Sequence, residues 1–124
     1  MVDGDAIHLP PRVLVTDAEE RAAVAVARGL HAAGYSVGTA SSTALAPAHW
    51  SRTVSRRHRV PDVREQPLAW ADELVCVAAR DGYCIVIPTT DRSLEVLSRR
   101  RDLFDGRVRL GLPPHENVDR KSVV

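Results

Sequence analysis

The segment CIVIP, Cys84 to Pro88, constrains the fold of this chain more than any other stretch. It is short and apolar, and it lacks the polar–apolar alternation of a strand with one face in water. A strand here must be covered on both faces, as the central strand of a parallel sheet. The surrounding pattern agrees. RVLVT, Arg12 to Thr16, reads as a short buried strand, followed by a helix with Ala23, Val26, Ala27, Leu30 and Ala33 on one face. Gly34 closes that helix, where a left-handed residue is needed after the last turn. YSVGTA, residues 35–40, supplies a second strand, and Arg57 to Val60 reads as a short third one ended by Pro61. Pro67 suits the first position of a second helix, whose apolar face holds Leu68, Ala71, Leu74, Val75 and Ala78 and which stops at Gly82. A third helix from Arg92 places Leu94, Leu97, Arg101 and Phe104 along one stripe as far as Gly106. RVRLGLP, residues 107–113, then reads as a fifth strand nearer an edge. Strands alternating with helices give an α/β class, a three-layer α/β/α Rossmann-like fold with a mostly parallel sheet of five strands.

Residues 1–11 read as a flexible lead-in and 12–114 as one folded domain, a size that fits 124 residues in total. With 17 basic and 16 acidic side chains the net charge is +1, which offers no footprint for nucleic acid or an anionic membrane. No apolar run approaches the roughly 20 residues of a membrane-spanning helix. The N-terminus lacks the basic flank and apolar core of a signal peptide, so a soluble, cytoplasmic protein is expected. Cys76 and Cys84 form no CxxC pair and are expected to be small buried hydrophobes in a reducing compartment. The five histidines show no metal-ligand spacing, and no metal ligand is assigned.

In open parallel sheets ligands sit beyond the carboxyl ends of the strands. Here those ends read TDA (16–18), ASS (40–42) and PTTD (88–91), so Thr16, Asp17, Ser41, Ser42, Thr89, Thr90 and Asp91 are the candidate cleft residues. A dinucleotide site needs a glycine-rich turn after the first strand, and a P-loop needs its own glycine run; Thr16-Asp17-Ala18 is neither. Asp17 would also put negative charge where a phosphate otherwise binds a helix N-terminus. With Glu20 it has the spacing of an acidic capping box. A phospho-receiver is disfavoured, because the third strand ends in Val60-Pro61 and the fifth in Leu112-Pro113 with no lysine there. In PTTD, Thr90 or Asp91 can cap the next helix, worth about 1 kcal/mol. One cap accounts for one side chain, and three polar residues in a row favour a face on the cleft. The anionic Asp91 then points to a ligand with donors or a cation. SRRHR, Ser55 to Arg59, has two readings, a charged edge strand that discourages aggregation and an anion or partner-domain contact.

In order and spacing these pieces resemble the N-terminal (pre-ATP-grasp) domain of ATP-grasp carboxylate-amine ligases, the group of biotin carboxylase and carbamoyl-phosphate synthase. RVLVTDAEERAAVAVARGLHAAGYSVGTASS is similar to that domain's opening strand, helix and second strand, with its L..AG segment. SRTVSRRHRVP resembles the approach to the third strand, and CIVIPTTDRSLEVLSRRRDLF the strand, Pro-Thr-Asp turn and helix that follow. RVRLGLPPHENVDRKSVV resembles the last strand and the entry to the ATP-binding part. The resemblance implies an enzyme that activates a carboxylate with ATP and Mg²⁺ as an acyl-phosphate and couples it to an amine or similar nucleophile. It makes this chain one wall of the substrate cleft, inert alone, with no catalytic residue of its own. Residues 115–124 would begin the linker toward C-terminal ATP-grasp domains of the same polypeptide, which supply most contacts to ATP and Mg²⁺. Lys121, the only lysine, falls where the family often has a nucleotide contact, although Arg120 separates it from Asp119; a solvated lysine is the other reading. Such ligases often dimerise through this domain. A free-standing Rossmann-like module that binds a small molecule or regulates another protein, without catalysis, is the alternative.

Overall fold

A computed structural model of the chain describes residues 11–104 and 108–111. Five strands form one sheet: β1 (Arg12–Val15), β2 (Ser36–Ser41), β3 (Val54–Arg59), β4 (Ile85–Ile87) and β5 (Arg109–Leu110). Their order is β3-β2-β1-β4-β5, and every pairing is parallel. Among the described residues three α-helices connect them: α1 (Arg21–Ala32), α2 (Pro67–Arg80) and α3 (Asp91–Arg99). A 3-10 turn over Pro47–Trp50 takes the place of a helix between β2 and β3, and another over Arg101–Phe104 follows α3. The expected Rossmann-like α/β fold is thus present, with β1 rather than β4 at its centre.

The apolar residues sort onto two faces because side chains alternate across a strand. Val13 and Val15 of β1 pack under α1 and the Pro47–Trp50 turn, with Ala23 and Ala27. Leu14 of β1 and Val86 of β4 pack on the other face, against Trp70, Leu74 and Ala78 of α2, Leu97 of α3 and Phe104. Val13, Leu14 and Val15 are at most 1% exposed. Burial of side chains of this size contributes about 1.5–3 kcal/mol each. In β4 only Val86 is fully covered, while Ile85 and Ile87 are half-buried. Two of the glycines expected to end helices take left-handed backbone, Gly34 at φ 96° and Gly82 at φ 73°.

Several local expectations are corrected. The third strand starts at Val54, three residues earlier than its apolar end suggested, because its outward positions are polar and give no periodic signal. Leu68 is 57% exposed and Trp70 is buried in its stead, since Pro67 begins the helix with Leu68 on the outer side. Cys76 lies on the exposed face of α2, and Cys84 precedes β4 at the open amino end of the sheet, so both thiols are exposed. The stripe proposed for the third helix breaks at Arg99: Arg101 is exposed and Phe104 reaches the core from the 3-10 turn. Gly106 and the ends of the fifth-strand segment, residues 107, 112 and 113, lie outside the described residues, and β5 within the described part is at an edge. Among the described residues no helix is long and apolar enough to cross a membrane.

The β3 edge is pinned on each face by an imidazole. On the α2 face, Tyr83 crosses beneath β2 to hydrogen-bond His58 (Oη–Nε2 2.7 Å), and His58 Nδ1 lies 3.7 Å from Asp81. The crossing is possible because residue 38 is glycine: a Cβ there would overlap the Tyr83 ring and hydroxyl. On the opposite face, His49 is 2% exposed, shares a 2.6 Å hydrogen bond with Thr39 through Nδ1, and accepts from Arg57 at its carbonyl (2.6 Å).

Gly38→Ala should destabilise the fold by about 1–3 kcal/mol, as over-packing does. Paired with Tyr83→Ala, which empties the space, it should add less than the sum of the two single effects in urea unfolding. Burial lowers the pKa of His49, with the Arg57 charge adding to it. Burial also lowers that of His58, outweighing the opposing pull of Asp81. Once unfolded, both rings regain the ordinary value of 6.5 and take up protons that the folded state refuses. Stability should therefore be full above that value and fall as pH drops below it, seen as a lower Tm at mildly acidic pH. The slope should flatten in a His49→Gln, His58→Gln double variant.

Candidate functional site

The chain order makes a switch point beside β1. From β1 the sheet grows through β2 to β3, and then the connection through α2 returns to place β4 on the other side of β1. The crevice at such a point, outside the carboxyl ends of the strands, is where folds of this type bind ligands. A cleft of about 370 Å³ lies there, lined by Asp17, Glu19, Glu20, Asp62, Val63, Arg64, Thr90, Asp91 and Arg92.

The residues expected at the site divide by what their side chains already do. Asp17 is 5% exposed and takes up left-handed backbone (φ 56°), a conformation that aspartate tolerates better than most residues. Its Oδ2 accepts from the Thr16 hydroxyl at 2.5 Å and its Oδ1 from the Ser93 hydroxyl at 2.8 Å. The Thr89 amide points at the same group, 3.3 Å from Thr16 Oγ1 and 3.5 Å from Asp17 Oδ2, and the Thr89 hydroxyl donates to the Thr16 carbonyl (3.0 Å). Thr16, Asp17 and Thr89 thus lock the ends of β1 and β4 to the first turn of α3. Ser41 is buried and donates to Glu19 Oε1 (2.7 Å), which holds that carboxylate at the cleft wall. Ser42 lines a shallow dent beside the cleft together with Asp17, Glu19 and Asp62.

The capping expectations are resolved. Helix α1 begins at Arg21 with Glu20 at its N-cap and no side-chain cap bond, so Asp17 and Glu20 do not form a capping box. The left-handed turn at Asp17, closed by Glu20 N–H to Asp17 O (2.9 Å), sets the helix start three residues later. Thr90 is the N-cap of α3 and accepts from the Ser93 amide at 3.1 Å. Asp91 is therefore released from capping and stands exposed at the first position of α3, on the cleft. Lys121 lies outside the described residues.

Asp62, Arg64 and Arg92 complete the lining and were not singled out from sequence. Asp62 follows Pro61 at the exit of β3 and accepts from the Arg64 amide (2.7 Å), a short turn that brings both side chains back over the sheet. Their signal was position, Asp62 and Arg64 in the loop beyond β3 and Arg92 in the first turn of α3. The lining holds five carboxylates and two guanidinium groups. Among the described residues no three His, Cys, Asp or Glu side chains converge as metal ligands. The arrangement favours a ligand with amine or hydroxyl donors, and Arg64 and Arg92 can meet an anionic group on it. It disfavours a bare polyphosphate: Ala18 N–H, which could face one, donates to the Ala40 carbonyl (3.1 Å).

The chain is similar in structure to glycinamide-RNase-transformylase T from Mycobacterium tuberculosis, with a TM-score of 0.58 and 22% identity over 80% of this chain and 25% of that one. It is also similar to an NADH-dependent reductase, A1-R', complexed with NAD, with a TM-score of 0.50 and 20% identity over 93% of this chain and 55% of that one. The chain thus spans about a quarter and about half of these two proteins. At such identities the likeness shows a shared α/β fold. No family model matches the chain, and no curated protein matches it in sequence.

The division of labour among the cleft residues predicts their stability effects. Asp17→Ala strands the buried Ser93 and Thr16 hydroxyls and should destabilise by about 1–3 kcal/mol. Thr90→Ala should lose about 1 kcal/mol, the value of an N-cap. Asp91→Ala should cost at most about 0.5 kcal/mol, since an exposed carboxylate in the first turn of a helix gains only a weak attraction to the helix N-terminus. Denaturant midpoints for the three variants check the order.

Proposed function

We propose that this chain is the N-terminal substrate-cleft domain of an ATP-grasp ligase, an enzyme that activates a carboxylate with ATP and joins it to an amine or similar nucleophile. The cleft carries this reading. It lies at the switch point of the sheet, and its lining combines exposed Asp91 and Glu19 and half-buried Asp62 with exposed Arg64 and Arg92. That set suits a small carboxylic acid that also bears amine or hydroxyl donors: the guanidinium groups would take the carboxylate and the acidic side chains the donors. The order of motifs from RVLVTDAEE to PTTD supports the same reading, as does the fold shared with the transformylase, an ATP-grasp enzyme.

The described residues do not fit ATP. The position of a glycine-rich turn is held by Asp17, whose carboxylate is committed to Thr16 and Ser93, and the cleft is rich in negative charge. In this proposal ATP and Mg²⁺ are bound by C-terminal ATP-grasp domains of the same polypeptide, and this chain orients the acid. The same features weigh against reading the likeness to the NAD-bound reductase as a nucleotide site here.

Two measurements test the proposal. The isolated chain should not hydrolyse ATP above background. In a polypeptide that includes the ATP-grasp domains, Asp91→Ala should reduce kcat/KM for ligation by about tenfold or more, the cost of one lost polar contact to substrate, while leaving stability almost unchanged. ATP turnover by the chain alone, or an Asp91→Ala enzyme with full activity, would overturn it. Saturable binding of a metabolite by the isolated chain, without any ligase activity in the longer polypeptide, would favour a free-standing binding module.

A further inference from the structure

A second surface lies away from the cleft, along β3 and the groove beside it. Strand β3 is the edge of the sheet and pairs only with β2 among the described residues, so its outer side carries those main-chain donors and acceptors of Val54–Arg59 that do not face β2. Alternation puts Arg56 and His58 toward α2, where both meet Asp81. It puts Arg57 and Arg59 on the opposite face, where both charges reach His49. Among the described residues Arg28, Arg52, Arg57 and Arg59 have no carboxylate within ion-pair distance. A groove of about 590 Å³ opens on that same face, lined by Val24, Pro47 and Trp50 with Arg28 and Arg52 as its only charges. Trp50 is 63% exposed yet fixed in place: its indole N–H donates to the Ala44 carbonyl (3.0 Å), and the Arg57 guanidinium stands 4.7 Å from the ring centroid. A rigid, exposed tryptophan among arginines is the composition of an interface hot spot.

We propose that β3 and this groove bind an acidic, extended segment of a partner protein. The segment adds a strand along β3, sets an apolar side chain against Trp50, and brings carboxylates to Arg52, Arg57 and Arg59. Charge complementarity selects this occupant. A second copy pairing edge to edge would set arginines against arginines, which destabilises a strand pair. Nucleic acid would meet the arginines but has no use for the main-chain edge or the apolar groove, and the chain's total charge of +1 gives no wider positive field to hold it. The proposal is independent of the ligase reading, because none of these residues lines the cleft.

The probe is a short peptide that alternates glutamate with valine around one central phenylalanine and contains no tryptophan. Trp70 is 2% exposed, so a change in emission on titration reports Trp50. The expected result is a saturable blue shift, lost when lysine replaces each glutamate and lost when alternate residues of the peptide are N-methylated. Arg52→Glu and Arg59→Glu are both exposed changes. Each should weaken binding by about tenfold, as when a rim attraction becomes a like-charge contact. Far-UV circular dichroism confirms that the variants are folded, and Arg28→Glu, across the groove on α1, gives a third reading from a different element. No saturation with the acidic peptide, equal binding of the lysine peptide, or insensitivity to all three reversals would show that β3 is only a solvated, charged edge. Tighter binding of a single-stranded oligonucleotide than of the acidic peptide would also overturn the proposal.

Discussion

The carboxylate of Asp17 sits where the end of β1, the end of β4 and the first turn of α3 must meet. Its oxygens accept from Thr16 on the first strand and from Ser93 on the helix, while the Thr89 amide of the β4 exit closes on the same pair. Such a buried carboxylate is tolerable only because its hydrogen bonds replace the lost water. Its left-handed backbone, in turn, postpones the start of α1 and leaves Glu19 and Glu20 on the cleft wall. The chain order places the cleft, and this one side chain ties its walls together and sets Glu19 and Glu20 beside it.

Much of the architecture was legible in the sequence, for physical reasons that differ by element. β1 and β4 are short apolar runs whose covered positions admit little else, and Gly34 and Gly82 mark backbone that other residues resist. The start of β3 was not legible. An edge strand with solvent on one side needs no apolar alternation, and Val54-Ser-Arg-Arg-His-Arg has almost none. The pin beneath β2 was equally hidden, because Gly38 and Tyr83 are distant in sequence and neither is unusual alone; only the fold brings ring and missing Cβ together.

The cleft shows the same limit in a different form. Position at the strand ends identified Thr16, Asp17, Ser41, Thr89, Thr90 and Asp91, yet position does not say whether a hydroxyl faces a ligand or a neighbouring segment. Thr16, Ser41 and Thr89 hold the walls, Thr90 caps α3, and only Asp91 of this group stands free in the cleft. Both guanidinium groups of the site come instead from Arg64 and Arg92, which the sequence reading did not single out for the cleft. Polarity at a strand end in this fold marks the construction of a site as often as its contact surface.

The two faces of β3 finally show how a near-neutral chain can hold opposite local charges apart. Arg56 and His58 are balanced by Asp81 on the α2 side. Among the described residues Arg57 and Arg59 have no such partner on the other side, while five carboxylates line the cleft at the strand ends. Since charges more than a Debye length apart, about 8 Å at physiological salt, interact weakly, total charge says little about either surface. What is proposed for each surface rests on its own few side chains: donors and a carboxylate for the acidic cleft, and an acidic strand for the basic edge.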